Sequence, residues 1–155
     1  MGLWGRWGEV WYRVEEFYYD SRREGRQKTD SEYADALEAL ADGRPIREVV
    51  ADPSAASFAE TVLRHGRYPV LKADNDVVAG IHRVSRALQQ AQIKIAPGCK
   101  DALREFSLYQ WDNSLRRDAP KKENDHAMDD IRYFVSTVLN GEEPGGVCAL
   151  AVERK

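Results

Sequence analysis

Apolar residues recur along this chain at two spacings, and the switch between them lays out its elements. Residues 9–19 are rich in Val, Trp, Tyr and Phe and predict a long strand. Leu3 to Trp7 reads as the end of a preceding strand, paired with it through a turn near Gly8. The polar, basic stretch 20–29 predicts a loop. Thr29 or Asp30 then caps a helix to about Leu40, with Tyr33, Ala36, Leu37 and Leu40 on its buried side and Gly43 and Pro45 beyond its end. Val49-Val50-Ala51 predicts a short strand with Asp52 at its C-terminal end. Pro53 and the small residues after it let a helix start at once, near 54–65, and Gly66 stops it. Tyr68–Lys72 reads as a strand and Asp76–Gln90 as an amphipathic helix with Val77, Ile81, Val84 and Leu88 in register. Ile93–Ile95 is a strand, Cys99–Ser107 a helix and Tyr109–Asp112 an edge strand before a polar insert, 113–124. The last helix is expected from Asp125 to Leu139, burying Ile131, Phe134, Val135 and Val138.

Strands first, then strands alternating with helices, predict an α/β fold: a mixed central sheet flanked by helices. No internal repeat or long linker divides the chain, and 155 residues suffice for one core. Hydrophobic residues at 43% and charged residues at 32% exclude a disordered chain. No apolar stretch is long enough for a membrane span, and the opening residues lack a secretory signal, so no membrane partner is expected. Cys99 and Cys148 have no metal or redox spacing and read as reduced thiols of a cytoplasmic protein. A net charge of −3 gives no global attraction for DNA, so nucleic-acid contact has to come from local basic patches. One such patch is Arg116, Arg117, Lys121 and Lys122.

The densest chemistry lies at the head of the last helix, in Asn124-Asp125-His126-Ala127-Met128-Asp129-Asp130. Asp125 and Asp129, four apart, and His126 and Asp129, three apart, project from nearly one helical face. Acids at a helix start also complement its dipole and cap it, which explains such a cluster without a ligand. The second reading is a hard divalent cation, magnesium or manganese, for which oxygen-rich ligation is suited. A strand-end Asp52 facing this helix strengthens that reading, because open α/β sheets bind ligands beyond the carboxyl ends of their strands. The expected metal ligands and catalytic residues are therefore Asp52, His126 and Asp129, with Asp125 as cap or supporting partner. Asp130 points about a hundred degrees from Asp129 and is expected in solvent. His65 and His82 lack acidic partners and read as surface residues, and the four tryptophans as packing groups.

Several short motifs in order carry a family resemblance. They are Glu15-Glu16-Phe17-Tyr18-Tyr19, Ala51-Asp52-Pro53-Ser54-Ala55, Glu105-Phe106-Ser107-Leu108-Tyr109-Gln110-Trp111-Asp112, and the Asn124–Asp129 run with Arg132-Tyr133. From Gly2 to Leu139 the chain resembles the C-terminal nuclease domain of the large terminase subunit of tailed bacteriophages, a ribonuclease H-like fold. The resemblance implies a magnesium- or manganese-dependent endonuclease that cuts concatemeric double-stranded DNA during genome packaging. It carries the metal roles onto Asp52, His126 and Asp129. It also implies as partners the terminase ATPase domain, the small terminase subunit and the portal, in the cytoplasm of a bacterial host. The expected layout is a nuclease domain over 1–140, its first strand incomplete, and a flexible tail over 141–155.

The family's first catalytic Asp lies just upstream of the Leu-Trp-Gly stretch; no such Asp occurs here, the only acid near the start being Glu9, and no phosphate-binding Gly-rich loop occurs. Weak or absent cleavage is the expectation. The alternatives are a non-catalytic prophage remnant or DNA- or assembly-binding module keeping the fold, and a ribonuclease H-like resolvase or integrase.

Overall fold

A computed structural model describes residues 1–116, 118–141 and 147–151. Two strands open the chain, β1 (Gly2–Trp7) and β2 (Val10–Glu16), and pair antiparallel with Trp7 opposite Val10. Gly8 closes that hairpin at φ +62°, a left-handed conformation that costs a glycine little. Next come the short helix α1 (Ser21–Glu24), α2 (Asp30–Ala41), β3 (Ile46–Ala51), α3 (Ala56–His65) and β4 (Val70–Lys72). They are followed by α4 (Val77–Gln89), β5 (Ile93–Ile95), α5 (Lys100–Leu108) and α6 (His126–Phe134), which continues as a π-helical turn, Val135–Leu139. The last described strand is β6 (Val147–Ala151).

These strands form one six-stranded sheet in the order β4-β3-β6-β1-β2-β5. β4, β3 and β6 run parallel, β6 meets β1 antiparallel, and β2 pairs with β5 in parallel. Period-two alternation sends side chains to two separate cores. Leu3, Val49 and Ala51 join Leu37, Leu40, Phe58 and Val62 under α2 and α3. Trp4, Trp11, Val50 and Ile93 face the other way and pack with Ile131, Phe134 and Val135.

Helix α6 is anchored to that second core through Phe134. Its ring stacks on Trp4, with centroids 4.0 Å apart, and receives the edge of Trp11 at 5.2 Å. Such aromatic contacts fix orientation beyond the area they bury. Every residue from Ala127 to Phe134 is buried, so the helix lies inside the protein on all its faces.

Several elements depart from the sequence expectations. The 20–29 stretch contains α1, capped by Asp20 through Arg22 and Arg23 amides. Tyr109–Asp112 is no strand; a single bridge between Trp111 and Pro120 pinches 110–121 into a hairpin-like loop. In α4 the buried positions are Gly80 and Ala87, while Leu88 is 39% exposed. The helix is rotated because Gly80 lies directly against Arg132: a Cβ there would stand 2.5 Å from Arg132 Cγ. Asp130, expected in solvent, is 1% exposed and pairs with buried Arg13 at 2.5 Å. A helix enclosed on all faces has no solvated side to offer it. Finally, β6 lies within the stretch read as a flexible tail; residues 142–146 and 152–155 fall outside the described ones.

Candidate functional site

Asp52 follows β3 and is 5% exposed. Its Oδ1 accepts the Ser54 amide at 2.6 Å and its main-chain carbonyl accepts the Ala55 amide, a tight turn that delays the helix expected near 54 until Ala56. Its Oδ2 accepts a short hydrogen bond from the Tyr133 hydroxyl of α6. Burial pushes the Asp52 carboxyl up, but Ser54, Tyr133 and the Arg132 charge outweigh it and hold the group below the usual carboxylate range.

Asp129 lies one helical turn before Tyr133. It is 4% exposed, and its Oδ1 accepts from Arg132 Nη2 at 2.9 Å. The Arg132 guanidinium lies 4.6 Å from the centre of the Tyr133 ring. Burial works against the Arg132 charge, yet the neighbouring Asp129 carboxylate raises its pKa further above the ordinary value. The Tyr109 hydroxyl is pushed up, first by burial and then by the Asp129 charge. A continuous set of contacts thus links Asp52 to Tyr133, Tyr133 to Arg132, and Arg132 to Asp129.

His126 stands elsewhere. Its ring packs edge-on to Tyr18, with centroids 6.0 Å apart, and lines a small cavity with Asp20, Arg22 and Asn124. Its Nδ1 is buried and makes no hydrogen bond. Among the described residues, no three His, Cys, Asp or Glu side chains converge as a metal-ligand set. The expected trio is therefore brought together only in part: Asp52 and Asp129 share one neighbourhood, and His126 faces another. The two carboxylates suit a hard cation by chemistry and place, but both already serve protein partners.

Asp125 precedes α6 but makes no capping hydrogen bond with its side chain. Fully buried Glu105 does that work. Its Oε2 accepts the Ala127 amide at 2.7 Å, and its Oε1 accepts from the Tyr18 hydroxyl at 2.7 Å. Glu16 serves α5 likewise, accepting the Asp101 amide at 2.8 Å and the Ala102 amide at 3.3 Å. Both acids stand within the motifs of the family resemblance, but an acid so far from the helix it caps leaves no local spacing signal of that role. Asp74, read only as a turn residue, also sits in the field of Arg132 and pairs with Arg83 at 2.6 Å.

The basic candidates lie on the loop before α6. Arg116 and Lys122 are exposed and Lys121 is half-buried, while Arg117 lies outside the described residues. This loop surrounds a cavity of about 670 Å³ lined by Trp111, Leu115, Lys121 and Lys122 among others. His65 and His82 are at the surface and Trp4 and Trp11 are core residues, as expected, but Trp7 and Trp111, also read as packing groups, are exposed.

No family model matches the chain, and no curated protein sequence does. Solved structures do. The large terminase of a thermophilic bacteriophage, in complex with ADP, superposes with a TM-score of 0.83 at 44% identity, covering 89% of this chain and 36% of that one. Another crystal form of that terminase gives the same score and identity over 35% of its length. The chain spans about a third of the terminase it matches. The mixed sheet flanked by helices, ribonuclease H-like in arrangement, is borne out by this likeness. Over nearly all of its own length, this chain is similar in sequence and fold to a phage large terminase.

Proposed function

We propose that this chain is a DNA-cleaving nuclease domain of a phage large terminase, dependent on magnesium or manganese, and weak in cleavage by itself. The observation that carries the reading is the set of contacts running from Asp52, at the end of a sheet strand, through Tyr133 and Arg132 to Asp129 on the buried helix, in a chain 44% identical to a large terminase. Asp52 and Asp129 hold the ion, and His126 adds a third donor once its ring turns from Tyr18. A bound ion of this kind supplies Lewis acidity at a DNA phosphate. The chain's own part is positioning: the Asp-Pro-Ser turn fixes Asp52, Glu105 fixes the start of α6, and Phe134 fixes its other end. Lys121, Lys122, Arg116 and Arg117 guide the duplex phosphates. Weak cleavage follows because, among the described residues, no three acids, histidines or cysteines converge as a ligand set, and Asp52 and Asp129 are both engaged by protein partners. Concatemeric double-stranded DNA in the host cytoplasm is the proposed substrate, with the ATPase domain, small subunit and portal as partners.

The test is nicking of supercoiled plasmid in manganese. Slow nicking that disappears in Asp52→Asn and Asp129→Asn is expected. Robust nicking indifferent to both changes would discard the assignment. A second reading, a non-catalytic DNA- or assembly-binding module, is favoured by the ion pair that already occupies Asp129. It predicts duplex binding with no nicking at any manganese concentration.

A further inference from the structure

Arg132 is 3% exposed, yet it is poorly bonded for a buried guanidinium. Only the bond to Asp129 is short; Nη1 reaches the Asp76 carbonyl at 3.4 Å, and Nε makes no hydrogen bond. Its five donors are made for more than that. What surrounds it is negative charge: Asp129 in contact, with Asp52 and Asp74 within its field. The stem crosses Gly80 so closely that any side chain there would displace it. A residue placed this way is held by charge more than by hydrogen bonding.

We propose that Arg132 is the resident cation of this site, and that a divalent ion enters between Asp52 and Asp129 only by displacing its guanidinium. The inference rests on reading those two acids as ligands. Two buried carboxylates that flank one guanidinium through Tyr133 and Asp129's own ion pair need a positive partner, since a buried charge left unpaired is costly. Arg132 supplies it in this state, and its bond to Asp129 consumes a lone pair that an ion would use. Displacement has a destination. Arg132 Nη1 already reaches the Asp76 carbonyl at 3.4 Å, two residues from the Asp74 carboxylate, which is 43% exposed and paired with Arg83. The guanidinium moves outward to that carboxylate while the ion takes its place.

Two measurements on the full chain decide the matter. Calorimetry with manganese compares the unaltered protein with Arg132→Gln, and the variant is expected to bind at least about tenfold tighter. In the unaltered protein, a magnesium titration followed by side-chain NMR is expected to shift the Arg132 Nε–H signal in step with binding. A folded Arg132→Gln that binds no tighter overturns the proposal. So does an Arg132 signal that stays fixed while magnesium binds, and this second readout decides alone if the variant does not fold. Binding lost in Asp52→Asn but indifferent to Arg132 would refute the displacement and leave the proposed function standing. No binding by the unaltered chain or any folded Arg132 variant would remove both.

Discussion

Arg13 and Asp130 form a fully buried ion pair, with side-chain exposures of 1% and 0%. Glu16 supports the guanidinium at 3.4 Å, and Arg13 Nε makes no hydrogen bond. Removing one partner of such a pair strands the other charge, at a cost of about 3–5 kcal/mol. Arg13→Met is therefore expected to lower unfolding stability by roughly 3 kcal/mol, and adding Asp130→Asn to recover most of it. Denaturant midpoints measure both, and a loss below about 1 kcal/mol for the single change would mean the pair is solvated. None of this was legible locally, because Arg13 and Asp130 are 117 positions apart. Asp52 was legible: an apolar triplet followed by Asp-Pro-Ser-Ala dictates a strand end through nearest neighbours alone. His126 shows the limit of helical spacing. Its place three residues before Asp129 is correct, but which way its ring turns depends on Tyr18, from a different element.

At the scale of elements, periodicity located most helices and strands within a residue or two, since each buries one face and repeats accordingly. It misses what long-range packing sets: α6 lies where expected, but Asp130 on it is buried instead of solvated, and the rotation of α4 is set by one close approach at Gly80. It also passed over β6, whose five residues carry too little pattern to distinguish a strand from a punctuated tail. Yet among the described strands β6 alone joins the two halves of the sheet. Ala149 stands opposite Leu3 of β1 on one side and Val49 of β3 on the other. A proline cannot donate to such a ladder and is confined to sheet edges. Ala149→Pro is expected to lower Tm by roughly 5 °C, from the lost hydrogen bond and an orphaned acceptor. A scanning-calorimetry transition unchanged by this substitution would mean that β6 does not pair in solution.

Across the whole molecule, two cores on opposite faces of one sheet hold the helices in place, and the proposed ion site lies on the side of α6. The loop bearing Lys121 and Lys122 leads directly into that helix. Each lysine that neutralises a duplex phosphate releases about one counterion. Lys121→Gln with Lys122→Gln is expected to reduce the slope of log Kd against log salt for linear duplex by roughly 2. An unchanged slope would move the DNA path to another surface. The strand order has one more implication, for the time at which the protein takes shape. A chain emerging from the ribosome delivers β1 to β5 long before the residues that bridge them, so both sheet halves wait with bare edges. Closure is thus a late, long-range event, and the interval before it is when newly made chains are most apt to pair with one another.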